Sequence, residues 1–356
     1  MKTRLAIASG VPGWRRFPPN LFAIPFGLAG LAEAWDAAGP TLRTPTAVPD
    51  AVSVIAALAW VTLLACYGAQ GTAGALADFR DKTLSPFMSL APITGMLLAV
   101  TLPAHALAAG QALVVVFLVA TLAFGGLLTG EWIVARLDYD AAHPGYFLPT
   151  VAGGLVGAFC AAEVHLHGLA VASFGIGLLS WLLVGSTILN RLFFHPWLPS
   201  ALVPTLAIEL APPAVAGIAY FALTGGRTDW PAQALAGYAA LMVLVQVRLL
   251  PRFAALRFTP AFWAFTFSWA AIATSALEWI ALRNPPGATA CATLILTVIT
   301  AFIGYTAGRT VLLIVRGQLL APTEEINRGA IVNKDGQSIS RSLAGQSAHG
   351  GAPPVK

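Results

Sequence analysis

The chain alternates long apolar stretches with short polar segments. Ten of these stretches are long enough to cross a bilayer as helices, which takes about 20 residues each. They cover residues 18–35, 51–69, 86–104, 107–128, 147–166, 168–190, 199–223, 232–250, 260–282 and 287–315. The pattern predicts an all-α polytopic membrane protein, with ten transmembrane helices in the membrane domain 18–316.

The segments at the two ends are predicted to be different in kind. Residues 1–17 form a short N-terminal segment, whose apolar core of about four residues falls short of the roughly 7–15 that a secretory signal needs. Residues 317–356 are polar and rich in Gly, Ser, Gln and Asn, which is typical of a disordered tail.

Composition supports a membrane protein. Hydrophobic residues make up 57% of the 356 residues and charged residues 10%, whereas soluble domains carry about 25% charged residues. This excludes a soluble enzyme, a disordered protein and a disulfide scaffold. Cys66, Cys160 and Cys291 lie in apolar stretches without a CxxC pair, so we interpret them as small buried hydrophobic residues.

The positive charges predict the topology. With the N-terminus in the cytoplasm, thirteen Lys and Arg residues up to Arg316 fall on the inner side, and only Arg43, Arg227 and Arg283 fall outside. Both termini are therefore predicted to be cytoplasmic, in a bacterial-type inner (plasma) membrane.

Prolines follow a parity along the chain. Pro25, Pro92, Pro149 and Pro212 lie in spans one, three, five and seven, and the core of every even span lacks proline. A proline frees a backbone carbonyl, which in a membrane needs a partner in protein or in a water-filled cavity. Five helical hairpins with odd helices inside, around a central pore, and even helices outside would meet that need. The alternative is that membrane helices simply tolerate proline.

The ninth span has bulky aromatic residues, including Phe265 and Phe267, where the other odd spans have proline. An aromatic ring in a narrow pore would act as a gate, whereas the alternative is ordinary core packing. The other candidates for the pore lining or for close helix packing are Gly27, Gly95, Gly153, Thr94, Thr150 and Thr266.

Ionisable residues within the spans are functional candidates. Glu209 lies about one turn before Pro212 and is the candidate for proton coupling, with a structural polar contact as the alternative. Glu33, Asp36 and Glu278 are predicted to be interfacial. Glu163, His165 and His167 have metal-binding residue types without a recognisable fourth ligand, so no metal site is predicted, and neither a cofactor nor a catalytic motif is found.

Several short motifs in the same order resemble the tellurite-resistance/dicarboxylate transporter family, which includes the plant slow-type anion channels. They are Phe17-Pro18 with Phe22-Ala-Ile-Pro25-Phe-Gly27, Ser85-Pro86 with Leu90-Ala-Pro92-Ile-Thr94, His143-Pro144 with Phe147-Leu-Pro149, Leu210-Ala-Pro212-Pro213, Trp263-Ala-Phe-Thr-Phe267 and Arg316-Gly-Gln-Leu. The resemblance covers residues 17–320.

The resemblance implies a pore lined by the odd helices, a trimer in which each protomer has its own pore, and occlusion of that pore by Phe267. In plant members a proline follows this phenylalanine, whereas Ser268 follows it here, so we expect a smaller kink in the ninth helix. Plant members also have long phosphorylatable termini; with a short start and a polar tail of about 36 residues here, we do not expect gating by a kinase.

The sequence thus predicts an inner-membrane channel that passes small anions such as chloride or nitrate passively. The alternative within transport is a proton-coupled carrier or exporter of C4-dicarboxylate, sulfite or tellurite-related oxyanions. An intramembrane enzyme would need a catalytic cluster that the sequence does not show. In a structural or sensory membrane protein, substitutions at these positions would leave ion flux unchanged. No nucleic-acid partner is expected.

Overall fold

A computed structural model describes residues 16–135 and 139–320, which form helices and no strand. The predicted all-α polytopic membrane fold is confirmed. Residues 1–15 and 321–356, which hold nearly all of the predicted N-terminal segment and tail, lie outside the described residues.

The α-helices are numbered in chain order. They are α1 (Ala23–Leu42), α2 (Ala47–Gly68), α3 (Gly71–Arg80), α4 (Leu90–Val100), α5 (Leu107–Ala135), α6 (Gly153–Glu163), α7 (His167–Phe194), α8 (Ala211–Thr224), α9 (Trp230–Ala254), α10 (Trp263–Arg283) and α11 (Ala288–Val315).

A helix stands at each of the ten predicted spans. Nine helical segments of the described residues are long and apolar enough to cross a membrane, and the third span is a shorter apolar segment, Ser85–Val100. The short helix α3 between spans two and three was not predicted. Several spans are longer than predicted; the first runs to Leu42 rather than to residue 35.

Burial separates the odd spans from the even spans. In an apolar 18-residue window of each span, 50 to 78% of the residues are buried inside the protein for the first, fifth, seventh and ninth spans, against 11 to 28% for the even spans. Most of the third span is buried as well. The odd helices therefore form the interior and the even helices cover them, as the proline parity predicted.

Each odd span begins with a tighter helical segment before its α-helix. These segments are Pro19–Phe22, Ser85–Ser89, Pro144–Phe147, Val203–Leu210 and Pro260–Phe262, and the π-turn Leu148–Ala152 follows the third of them. Each opens with a proline in its first two positions, where no helical amide donor is needed. The sequence motifs include two of these prolines, Pro86 and Pro144, but the opening of every odd span with a proline was not predicted.

In the first four odd spans, a second proline explains where the tight segment lies. Pro25, Pro92, Pro149 and Pro212 have no amide hydrogen for the carbonyl four residues earlier. Those carbonyls belong to residues 21, 88, 145 and 208, and all four fall within the tight segments. The prolines thus mark a change of helix type rather than a kink in mid-helix. The ninth span, which lacks the second proline, has a tight segment of only three residues before α10.

Residues Phe17–Thr310 form one compact unit. Of the second unit, the structure describes Arg16 and residues 311–320, which include the end of α11.

Helices α6 and α7 approach each other closely. A methyl group added at Gly177 of α7 would lie 2.6 Å from the backbone nitrogen of Leu155 in α6, and 2.7 Å from the Leu155 side chain. A methyl group added at Gly175, two residues earlier on α7, would have no neighbouring atom within 4 Å. A methyl group added at Gly154 of α6 would in turn lie 2.5 Å from the backbone nitrogen of Gly177. The contact therefore depends on a small residue on each helix, as helix pairs in membranes often do.

We expect Gly177→Ala to destabilise the protein by about 1–3 kcal/mol, because the added methyl group overpacks the contact between α6 and α7. Gly175→Ala is the matched control, since it adds the same methyl group to the same helix in open space. It should be neutral, or stabilising by up to about 1 kcal/mol. Thermal unfolding of both variants in detergent measures the difference. Equal unfolding midpoints would contradict the packing argument.

Candidate functional site

Two cavities lie among the five odd spans. The first cavity has a volume of about 40 Å³ and the second of about 30 Å³. All five odd spans contribute side chains to each cavity, and no residue of an even span is among the lining residues. Each has room for a few water molecules or one small ion. The first cavity is lined mainly by residues near the N-terminal ends of the odd helices, and the second by residues further along the same helices.

Phe267 of α10 borders both cavities. Its side chain is among the lining residues of both, together with Val215 of α8. The Phe267 ring stacks on Phe26 of α1, with a distance of 3.6 Å between ring centroids and an interplanar angle of 18°. A methyl group added at Gly30 would lie 3.0 Å from the Phe267 ring, so the ring can occupy this position only because residue 30 has no side chain.

The two cavities differ in polarity. The first is lined by aromatic and aliphatic residues and by Ser268, whose hydroxyl donates a hydrogen bond to the Ala264 carbonyl of its own helix at 3.4 Å. The second has Glu33 and Thr274 among otherwise apolar residues. Among the described residues that line either cavity, Glu33 alone has an ionisable side chain.

Phe265, the other aromatic gate candidate, points elsewhere. Its ring packs against Phe253 of α9 at 4.9 Å and Phe262 at 5.5 Å between centroids. It is not among the residues that line the two cavities. Side chains two residues apart in an α-helix point about 200° away from each other around the helix axis, so Phe265 and Phe267 lie on opposite faces of α10.

The candidate glycines lie at contacts between helices. A side chain at Gly27 would collide with Thr266 of α10. Added methyl groups at Gly95 and Gly153 would lie 2.9 Å from Phe117 and 2.6 Å from Thr121, both on α5. Close packing, the alternative left open for these glycines, is what their surroundings support.

The remaining lining candidates are arranged as follows. Pro212 lines the first cavity. The hydroxyls of Thr94 and Thr266 are buried and donate to carbonyls of their own helices, at Leu90 and Trp263. Pro25, Pro92, Pro149 and Thr150 are not among the residues that line either cavity.

Glu209 is buried close to the first cavity. It precedes Leu210 at the end of the tight segment Val203–Leu210, and its Oε1 has no hydrogen-bond partner among the described residues. Its neighbours Ile208 and Ala211 line the first cavity, whereas Glu209 itself does not.

The sequence did not reveal three residues of this site, namely Glu33, Thr274 and Phe26. Glu33 was taken as interfacial because the first span was predicted to end at residue 35. Helix α1 continues to Leu42, which places Glu33 nine residues before its end and beside the second cavity. A longer window for the first span would have found it.

The described residues contain no group of three or more His, Cys, Asp or Glu side chains that could hold a metal ion. Cys66, Cys160 and Cys291 are free thiols, of which only Cys160 is fully buried, so the predicted burial holds for one of the three.

His143, just before the fifth span, supports the wall of the first cavity. Its ring is fully buried and stacks on Phe87, a lining residue, at 5.9 Å between centroids. Its Nδ1 accepts a hydrogen bond from the Gly145 backbone amide at 3.1 Å. Burial lowers the pKa of His143 to about 4 from its ordinary value of 6.5.

Together, the ten-span helical fold and the paired cavities define a polytopic membrane protein with cavities along the axis of its inner helices. Residues 16–311 match the protein family described as voltage-dependent anion channel, SLAC1. The chain belongs to this family, whose members are anion channels and transporters and not enzymes.

Two relatives support the assignment. The chain is 28% identical, over 263 residues, to a tellurite resistance protein TehA homolog from Haemophilus influenzae, which covers 73% of this chain and 80% of the relative. It is 24% identical over 281 residues to the S-type anion channel SLAH2 from Arabidopsis thaliana, which covers 74% of this chain and 53% of the relative. The match thus spans about half the length of the plant protein. The resemblance noted in the sequence is confirmed.

We expect acid to destabilise the protein through His143. The folded state holds this ring neutral down to about pH 4, whereas the unfolded chain takes up a proton near pH 6.5. Stability is therefore complete above pH 6.5 and falls as the pH drops towards 4, by up to about 3 kcal/mol.

His143→Asn tests this expectation, because the Asn oxygen can still accept the Gly145 hydrogen bond but does not titrate. The unfolding midpoint of the variant should decline less between pH 7 and pH 4 than that of the wild type. Parallel pH profiles for the two proteins would show that His143 makes no such contribution.

Proposed function

We propose that this protein is an anion channel of a bacterial-type inner membrane, which passes small monovalent anions such as chloride or nitrate passively along the axis of the odd helices. Phe267 is its gate. One observation carries the proposal: the Phe267 side chain borders both cavities, so it stands between two spaces that share the same five helices.

The chemistry of the first cavity supports passive flow over tight binding. Its lining offers an anion little more than the Ser268 hydroxyl, backbone and aromatic edges. An ion that binds weakly leaves quickly, which favours flux. A bulky apolar side chain in such a path excludes water, and an ion cannot pass without its hydration or a replacement for it.

The orientation and assembly of the channel follow the sequence arguments. The basic residues favour cytoplasmic termini, so the first cavity would face the cytoplasm and the second the outside. A homotrimer with one pore in each protomer rests on the family resemblance. Pro25, Pro92, Pro149 and Pro212 would hold the helix starts around the pore, and Gly27, Gly95 and Gly153 would hold the helices close.

A proton-coupled carrier or exporter of dicarboxylate, sulfite or tellurite-related oxyanions is the second candidate. The buried Glu209, with its unpartnered oxygen, favours it, as does the tellurite resistance after which the relative from Haemophilus influenzae is named. Against it, Glu209 does not line either cavity.

We expect Phe267→Ala to raise the chloride current of the purified protein in planar bilayers by about tenfold or more, because the truncated side chain would join the two cavities. Phe265→Ala is the matched control: it removes the same ring two residues away, from a contact with α9. It should leave the current near that of the wild type. A folded Phe267→Ala protein with an unchanged current would sink the gate assignment, and an increase in both variants would point to general loosening of α10.

Uptake in proteoliposomes separates channel from carrier. A proton gradient applied without a gradient of electrical potential or of anion should drive no anion accumulation through the wild-type protein, because a channel only follows the gradient of its ion. Accumulation that Glu209→Gln abolishes would establish the carrier, with Glu209 as its coupling residue. Accumulation that survives this substitution would establish a carrier that couples elsewhere.

A further inference from the structure

The second cavity has its own polar chemistry, which the gate does not use. Glu33 of α1 and Thr274 of α10 line it, among apolar residues such as Leu97, Val156 and Ile218. Helices α1 and α10 pack against each other, so the two side chains lie on a pair of neighbouring helices.

Thr274 has a hydroxyl group that the protein leaves unused. The residue is only 4% exposed, and its Oγ1 has no hydrogen-bond partner among the described residues. Buried hydroxyls almost always have a partner, because leaving one unpaired is costly. A hydroxyl that is unpaired and borders a cavity is therefore a ready donor to something that enters the cavity.

Glu33 is surrounded by acids. Asp36 on α1, Glu163 on α6 and Glu278 on α10 are within electrostatic reach of it, as is the Cys160 thiol of α6. Asp50 of α2 in turn acts on Asp36.

Few basic residues offset these carboxylates: His165, in the turn after α6, acts electrostatically on Glu163. Helices α1, α4, α6 and α8 contain no Lys, Arg or His, and α10 has only Arg283, at its last residue. An ionised Glu33 would thus repel an anion that shares its small cavity. A protonated Glu33 carries no charge and has an O–H that donates a hydrogen bond.

We infer that Glu33 and Thr274 form a binding site for one small monovalent anion in the second cavity, and that the site accepts the anion only when Glu33 is protonated. The inference rests on the proposed channel function and adds to it the residues that select the ion. Two O–H donors would replace part of the hydration shell of the ion. The cavity, at about 30 Å³, suits one small ion such as chloride or bromide.

Currents test the site in the Phe267→Ala background, where the gate is removed. Chloride current should be about tenfold or more larger at acidic pH than at alkaline pH, with the same pH on both sides of the bilayer, since protonation removes the repulsion. Adding Glu33→Gln should give the large current at both pH values, because glutamine has the same shape and never ionises. Adding Thr274→Val, which removes the hydroxyl and keeps the shape, should lower the current at acidic pH several-fold.

Matched controls come from exposed positions on outer helices. Glu131→Gln on α5 and Thr293→Val on α11 make the same chemical changes away from the cavities, and they should leave the current and its pH dependence unchanged. If Glu33→Gln keeps the pH dependence of the parent, Glu33 is not the group responsible and the inference is overturned.

Bromide binding tests the site without requiring flux. Bromide should raise the unfolding midpoint of the full-length wild-type protein at acidic pH and not at alkaline pH. Glu33→Gln should show the bromide effect at both values, and Thr274→Val at neither. Binding with this pattern, but no current in any variant, would reject the channel and leave the anion site standing. The opposite outcome is a current through Phe267→Ala that neither Glu33→Gln nor Thr274→Val changes, together with no bromide effect. It would reject the site and leave the channel standing.

Discussion

The missing amide hydrogens of four prolines constrain the rest of this structure. In an α-helical register, a proline leaves the carbonyl four residues earlier without a hydrogen-bond donor, and this applies to Pro25, Pro92, Pro149 and Pro212. In lipid there is no solvent to bond such a carbonyl. The chain responds with tight helical segments at those carbonyls, inside the protein. Helices that begin this way have to be buried, so unbroken helices such as α5, α7, α9 and α11 cover them. The separation into inner and outer helices follows from this local chemistry.

Once five helices share an interior, the side chains along their common axis decide what the protein can do. Few of them are polar. The first cavity offers the Ser268 hydroxyl, the stacked rings of Phe26 and Phe267 follow, and Glu33 and Thr274 lie beyond. The glycines of these helices serve a different purpose: Gly27, for example, lets α1 reach Thr266. Small residues bring the backbones together, and large residues fill the axis.

The sequence predicts the architecture better than the site, for physical reasons. Hydropathy and proline parity depend on whole segments, so errors of a few residues at the span ends leave the fold intact. The same errors matter for a single side chain: ending the first span at residue 35 made Glu33 interfacial, although α1 runs to Leu42. Periodicity alone also leaves Phe265 and Phe267 as alternatives, since either face of α10 could have met the axis. Only the packing of Phe265 on Phe253 and of Phe267 on Phe26 distinguishes them.

The carboxylates near the second cavity give an anion pathway an unusual electrostatic setting. A basic side chain at the axis would bind an anion firmly and slow its release, whereas an ionised acid would exclude it. A hydroxyl beside an acid that can carry a proton avoids both extremes, because the site offers hydrogen bonds without a fixed charge. Helices α1, α4, α6 and α8 contain no Lys or Arg, so no basic side chain on them holds the ion for long. On this argument Glu33 adds a condition, because the ion binds only when this acid carries its proton. In the channel that we propose, the ring of Phe267 decides whether the ion passes, and the protonation of Glu33 decides whether it is received.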